Sequence, residues 1–89
     1  MPYPAAKFRL VIAPKVKKQL KQLPQSVQKQ YNKGFKLIAI FGPSYRSLRT
    51  HRYKHLGDEI WGSSASMALR FYWEYVGERT IRVIGISSH

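Results

Sequence analysis

The sequence contains no cysteine and only four acidic residues among 89. Without cysteine the chain can form neither a disulfide framework nor a thiolate zinc site, and a reducing compartment is the natural expectation. No run approaches the length of about 20 apolar residues that crosses a bilayer, and the N-terminal segment lacks the apolar stretch of a signal peptide. These absences predict a soluble, cytoplasmic protein that does not use a membrane.

The few acidic residues are also unevenly distributed. Residues 1–56 hold thirteen Lys and Arg and no Asp or Glu, whereas residues 57–89 hold three Arg against four acidic residues, so charges of +13 and −1 give the net +12. The electrostatic field of this positive charge attracts polyanions, and a nucleic acid or a strongly acidic protein is therefore the expected partner. The alternative is a solvated basic surface kept for solubility, although a net charge of about 2 to 8 usually suffices for that.

The first half of the chain reads as a strand followed by two helices. The stretch KFRLVIA places apolar side chains on one side at a period of two, which predicts a strand over 7–13. Pro14 suits the start of a helix with the sequence PKVKKQLKQL, and the apolar spacing of QSVQKQYNKGFKLIAIF predicts a longer helix over 25–41. Leu23 and Pro24 would join these helices as a hairpin.

The second half changes to the period of strands. The basic segment RSLRTHRYKHL is poorly periodic and is predicted as a loop that leads into an irregular strand. A short strand in DEIWGSS, the strongest strand at 67–76, a turn at Gly77-Glu78 and a last strand TIRVIGIS follow. The prediction is one α+β domain over 1–89: an N-terminal strand, a two-helix hairpin and an antiparallel sheet of three or four strands.

One arginine interrupts the most apolar strand, ALRFYWEYV. Successive side chains of a strand point to opposite faces, so the odd-numbered residues 69, 71, 73 and 75 are predicted to form one core face. Arg70 then lies on the other face with Ala68 and Tyr72. That second face is either simply exposed to water or is a functional surface.

The order and spacing of these segments resemble the RelE/ParE toxin superfamily of bacterial toxin–antitoxin pairs. The resemblance covers nearly the whole chain, through FRLVIAP, LKQLPQSVQKQY, HRYKHLGDEIW, LRFYWEY and IRVIGISSH. It implies a basic microbial RNase fold whose toxic members cleave messenger RNA, usually in the ribosomal decoding site. It also implies an antitoxin that holds the toxin inactive.

The resemblance also suggests site residues. Arg70 falls on the strand arginine of the family, and His89 on its C-terminal histidine or tyrosine position. His51 resembles a histidine that some branches place in the cleft, and Lys54 matches a basic residue that other branches use there. The carboxylate that acts as a base in some branches has no clear counterpart.

The chemistry of RNA cleavage fits this set of residues. Without a metal, the reaction needs a group that titrates near neutrality and a fixed positive charge beside the phosphate. Histidine and arginine meet these needs, which makes Arg70, His89 and His51 the catalytic candidates. The alternative for Arg70 is contact with the antitoxin or a solvated cation at the sheet, and a chain-terminal histidine is often disordered.

Several further side chains are predicted to bind RNA without taking part in the chemistry. The set is Lys54, Arg52, Arg49, Tyr72 and Arg82. Aromatic rings near the basic segment, namely Tyr53, Trp61 and Tyr72, can also stack on unpaired bases. Trp61 is expected in the core, and Tyr72 on the face of Arg70.

Three functions remain open at this point. The first is a ribosome-dependent endoribonuclease that needs no metal or other cofactor and has mRNA, the ribosome and an acidic antitoxin as partners. The second is a toxin of the same fold that inhibits DNA gyrase. The third is a basic module that binds nucleic acid through phosphates and performs no chemistry, with a steep salt dependence.

Overall fold

The computed structural model describes residues 5–57 and 59–88, and in them one strand and two helices precede four further strands. The elements are β1 Arg9–Ile12, α1 Pro14–Lys21, α2 Gln25–Phe41, β2 His51–Arg52, β3 Trp61–Ser64, β4 Leu69–Gly77 and β5 Thr80–Ser88. Short 3-10 helices at Arg46–Leu48 and Lys54–Leu56 flank β2. The predicted α+β class is confirmed.

All five strands belong to one sheet, in the order β1-β5-β4-β3-β2. Strands β2 to β5 form the predicted antiparallel meander, with its last turn at 78–79, one residue beyond the expected position. The prediction of three or four antiparallel strands is incomplete, because β1 adds a parallel strand beside β5. Parallel pairing needs a long connection, and here the helices and the meander provide it.

Proline and glycine set the limits of the helices. Pro14 occupies the first turn of α1, and Pro24 immediately precedes α2, so neither removes an internal hydrogen bond. Gly42 ends α2 with a φ of 89°, a conformation that disfavours side chains, and a Cβ there would lie 3.1 Å from the Phe8 ring. In the described part of the chain, neither helix combines the length and the apolar character needed to cross a membrane.

A mid-helix glycine lets α2 approach the sheet closely. A Cβ at Gly34 would lie 3.1 Å from Ala65 and 3.2 Å from the Phe71 ring. Glycine inside a helix costs about 1 kcal/mol relative to alanine, and the contact explains why that cost is tolerated. Gly34 therefore marks the close packing of α2 against the sheet.

The core lies between the helices and one face of the sheet. Leu69, Phe71 and Trp73 are buried there, as the alternation predicted. Tyr75 lies on the same face, opposite the buried Ile81, but it is 48% exposed and so lies at the margin of the core. The register is irregular between Tyr75 and Gly77, where β4 approaches its end, and the Tyr75 ring covers the Trp73 edge from outside at a centroid distance of 5.1 Å.

Tyr31 connects α2 to the part of the sheet that carries Arg70 and Ser87. Its ring is 1% exposed, and its hydroxyl lies 2.8 Å from the backbone oxygen of Ser87 and 3.3 Å from that of Arg70. Burial, with a smaller effect of Tyr72, raises the pKa of the Tyr31 hydroxyl above the ordinary 10.0, so the proton that it donates is retained. The hydroxyl therefore fixes the backbone of Arg70 and of Ser87, its partner on β5.

Tyr31→Phe is expected to lower the free energy of unfolding by about 1–2 kcal/mol, because two carbonyl groups lose their donor. Urea denaturation at pH 7 measures this loss. A raised folded-state pKa stabilises the protein below the unfolded value and ceases to do so as the pH rises through the folded value. The difference between wild type and variant should therefore shrink above pH 10.0.

Tyr45→Phe is the control for this prediction. The Tyr45 ring is 38% exposed and stacks on Phe41 at a centroid distance of 4.6 Å, so loss of its hydroxyl should leave the stability unchanged. Equal urea midpoints for wild type and Tyr31→Phe would show that the hydroxyl contributes nothing to stability.

Candidate nucleic-acid interface and cleavage site

The sheet face opposite the core carries several of the predicted site residues, among them Arg70, His51 and Tyr72, and we call it the open face. Two rows of paired residues cross it from strand to strand. The first row is His51, Gly62, Tyr72 and Gly85, and the second is Ser64, Arg70 and Ser87. β5 has a bulge beside Tyr72: Tyr72 pairs with Gly85 and Trp73 pairs with Val83, so Ile84 is an extra residue without a partner on β4. This extra residue keeps Val83 on the core face with Trp73.

Arg70 is held in a defined position on this face. It is partly buried, and its Nη1 donates a 2.7 Å hydrogen bond to Oγ of Ser64 on the neighbouring strand. Within residues 5–57 and 59–88 no carboxylate pairs with Arg70, and Glu74 on the same strand pairs with Arg82 instead. No described carboxylate therefore neutralises the guanidinium, and its N–H groups other than the one bonded to Ser64 can bind an anion.

His51 faces the same side from the short edge strand β2. It is exposed and lies opposite Gly62, which in turn lies opposite Tyr72, two residues along β4 from Arg70. Strands lie about 4.8 Å apart and rise about 3.3 Å per residue, so the Cα atoms of His51 and Arg70 are roughly 12 Å apart. Long side chains that rise from these two positions can reach one phosphate between them.

Two tyrosine rings lie beside this pair. Tyr53 and Tyr72 meet edge to face, with ring centroids 5.1 Å apart, and the Tyr72 hydroxyl lies 3.0 Å from Ser87 Oγ. Gly62 makes this arrangement possible, because a Cβ there would collide with the Tyr53 ring. The predicted placement of Tyr72 on the face of Arg70 is confirmed, and Tyr53 joins it there.

The remaining predicted residues are spread more widely. Arg52 lies over the partly buried Trp61 ring, 4.8 Å from its centroid, and Lys54 is exposed in the second 3-10 helix. Arg49 is exposed with a φ of 47° at the end of the first 3-10 helix. Arg82 lies farther along the sheet and forms a 2.6 Å ion pair with Glu74, which weakens its attraction for RNA phosphates.

His89 lies outside the described residues, and its predicted role stays a prediction. Among the other predicted site residues, the open face brings together Arg70, His51 and Tyr72, whereas Arg82 lies apart from them. Arg52 pairs in register with Trp61, and its guanidinium covers that ring.

A chain of hydroxyl groups connects the basic segment to the core. Trp73 Nε1 donates to Ser63 Oγ at 2.9 Å, Ser63 Oγ lies 2.8 Å from Thr50 Oγ1, and Thr50 Oγ1 donates to the Pro43 oxygen at 2.7 Å. Thr50 directly precedes His51. The core thus fixes the strand that presents this histidine.

The sequence interpretation missed Ser64, Ser63, Thr50 and Tyr31. Serine and threonine occur at so many surface positions that their types alone carry no signal. The alternation in WGSS was the available clue, since it places Ser64 and Ser63 on opposite faces of β3. The pairing of β3 with β4 was needed to find their partners.

Ser64→Ala is expected to lower the rate of the predicted RNA cleavage about 5- to 13-fold, because the Arg70 guanidinium loses its hydrogen bond to the serine hydroxyl, at a cost of about 1–1.5 kcal/mol. Ser64→Thr keeps the hydroxyl and should retain most of the rate. Single-turnover cleavage assays at increasing protein concentration separate the rate of the chemical step from RNA binding. An unchanged rate of the chemical step in Ser64→Ala would show that Ser64 does not position Arg70.

The chain matches no family model and no curated protein, but it resembles several solved toxin structures. The YoeB dimer of Staphylococcus aureus is 16% identical, with a TM-score of 0.70 over 94% of this chain and 99% of that one. The archaeal RelE-RelB complex of Pyrococcus horikoshii is 10% identical, with a TM-score of 0.73 over 92% and 94%.

A third structure, a mutant of the Escherichia coli toxin RelE in the free state, is 15% identical, with a TM-score of 0.65 over 93% of this chain and 83% of that one. At such low identity the likeness concerns the fold. The chain has the fold of the RelE/ParE toxins, as its segment order indicated.

Proposed function

We propose that this chain is the toxin of a type II toxin–antitoxin pair and that it cleaves messenger RNA on the ribosome without a metal ion. The observation that carries the proposal is the arrangement on the open face. Arg70, held by Ser64 and unpaired with any described carboxylate, shares that face with His51 and a pair of tyrosine rings. The fold of the RelE/ParE toxins supports the same function.

The chemistry divides among these residues as follows. His51 in its neutral form takes the proton of the ribose 2′-OH, and the resulting oxygen attacks the adjacent phosphorus. Arg70 donates to the phosphate oxygens and stabilises the charge that develops on the pentavalent phosphorane. The P–O5′ bond breaks, His89 in its protonated form gives its proton to the leaving oxygen, and the products are a 2′,3′-cyclic phosphate and a 5′-hydroxyl.

The tyrosine pair and the basic segment orient the RNA in this scheme. Tyr53 and Tyr72 offer ring faces for unpaired bases, and such stacking contributes about 1–3 kcal/mol per base. Arg52, Arg49 and Lys54 supply phosphate contacts that set affinity and register. The net charge of +12 favours a substrate site rich in phosphate, such as the ribosome.

The proposed antitoxin partner is acidic. Two structures of similar fold contain a second protein, the RelE-RelB complex of Pyrococcus horikoshii and the YoeB-YefM complex of Staphylococcus aureus. The charge of this chain is complementary to an acidic segment that becomes ordered when it binds. We therefore propose a nuclease whose activity is blocked when this acidic partner binds.

Primer extension on a defined messenger RNA in a purified translation system tests the nuclease. We expect cuts within the reading frame that require ribosomes and that persist when transition-metal ions are chelated at a constant concentration of free Mg²⁺. A parallel supercoiling assay with DNA gyrase covers the second function. Gyrase inhibition without any RNA cut would refute the proposal, and RNA binding without either activity would leave only the basic module.

A further inference from the structure

A second basic cleft lies directly beside Arg70, around the turn that connects β3 to β4. It has a volume of about 550 Å³ and lies between α2, the first 3-10 helix and this turn. Its lining includes three cationic side chains and three serines, namely Lys33, Arg49, Arg70, Ser47, Ser64 and Ser66. We call it the serine–lysine cleft.

The serine–lysine cleft has the chemistry of an anion site. None of its three cations is paired with a carboxylate among the described residues, and Glu74, the acidic residue nearest to Arg70 in sequence, pairs with Arg82. Lys33 and Arg49 are exposed, and the three serines add hydroxyl donors to the same cavity. An anion with several acceptor oxygens would satisfy this set better than a single planar carboxylate, which one arginine can hold alone.

The connection to Arg70 decides which anion fits. Arg70 lines the cleft, and its bond to Ser64 Oγ joins the cleft to the open face. A strand of RNA whose scissile phosphate lies at Arg70 therefore has a neighbouring phosphate within reach of the cleft. Resting on the proposed function, we infer that the serine–lysine cleft binds the RNA phosphate next to the scissile one, with Lys33 as its main cation.

Uncleavable RNA of two lengths tests this inference. A 2′-O-methyl dinucleotide without terminal phosphates carries one phosphodiester, and the corresponding tetranucleotide carries three. We expect Lys33→Gln to weaken tetranucleotide binding about 3- to 10-fold in chemical-shift titrations and to leave dinucleotide binding unchanged. The slope of log affinity against log salt should fall by about 0.7, as expected for one lost contact to a single strand.

Lys29→Gln is the matched control. Lys29 is an exposed lysine on the same helix, one turn before Lys33, and it does not line the cleft. The control variant should bind both oligonucleotides within about twofold of wild type. Because glutamine is a good helix former and both positions are exposed, both variants should keep the wild-type melting temperature.

Three results would overturn the inference. Equal losses in Lys33→Gln and Lys29→Gln would mean that only overall charge matters. Equal losses for dinucleotide and tetranucleotide would remove the second phosphate from the argument. Unchanged RNA binding, with weaker binding of a polyglutamate peptide, would assign the cleft to an acidic protein. Binding as expected, together with no ribosomal cleavage, would refute the nuclease and leave the phosphate site standing.

Discussion

Arg70→Ala is expected to lower RNA cleavage about 10²- to 10³-fold while the fold survives, because the transition state loses its fixed positive charge. Arg70 is partly buried, but its guanidinium bonds to one serine hydroxyl and to no described carboxylate, so its removal leaves no unpaired buried charge. Single-turnover cleavage of ribosome-bound messenger RNA, with circular dichroism to check the fold, measures the effect.

Arg9→Ala and Arg70→Lys complete that experiment. Arg9 is an exposed arginine on the opposite edge strand of the sheet, so its loss removes the same charge and should leave cleavage within about threefold of wild type. Arg70→Lys keeps the charge but loses the planar fork that binds two oxygens, so we expect an intermediate rate. If Arg70→Ala and Arg9→Ala cleaved equally well, Arg70 would have no special role.

Trp73→Ala is expected to have the largest effect on stability, a loss of about 3–5 kcal/mol. The ring is fully buried, stacks on Trp61 at a centroid distance of 5.9 Å, and donates to Ser63. Total stabilities run at about 0.05–0.15 kcal/mol per residue, so this loss removes a large share of the stability of an 89-residue chain. Urea denaturation followed by tyrosine and tryptophan fluorescence measures it.

Tyr75→Ala provides the comparison on the same strand. Tyr75 is 48% exposed and contacts Trp73 from outside, so its truncation should cost about 1 kcal/mol. An equal or greater loss for Tyr75→Ala would mean that burial does not set the energetics of β4. Ser63→Ala is also informative, since it would leave the Trp73 N–H without its acceptor.

Local patterns in the sequence predicted much of this fold because they reflect local physics. Alternation in ALRFYWEYV placed Arg70 and Tyr72 opposite the core, and the apolar spacing of the helices located α1 and α2 to within a few residues. The same alternation placed Tyr75 on the core face, where it pairs with the buried Ile81, but its ring is 48% exposed. How far the core extends along β4 depends on the elements that cover it, which local sequence does not reveal.

The site was predictable only in part for a related reason. Arg70 and His51 are conspicuous as residue types, but the hydroxyls of Ser64, which bonds to Arg70, and of Thr50, which anchors the residue before His51, have meaning only through their partners. The serine–lysine cleft combines residues from α2, the first 3-10 helix and the β3–β4 turn. Such a combination follows from tertiary packing, to which no single stretch of sequence corresponds.

The parallel pairing of β1 with β5 also bears on how this protein is made. β5 lies between β1 and β4, so a strand from the interior of the sheet is the last described one to leave the ribosome. Until residues 80–88 have been synthesised, β1 has no partner, and Ile81 and Val83 are missing from the core. A nascent chain therefore cannot complete its sheet, and cannot present the folded open face, before residues 80–88 have emerged from the ribosome.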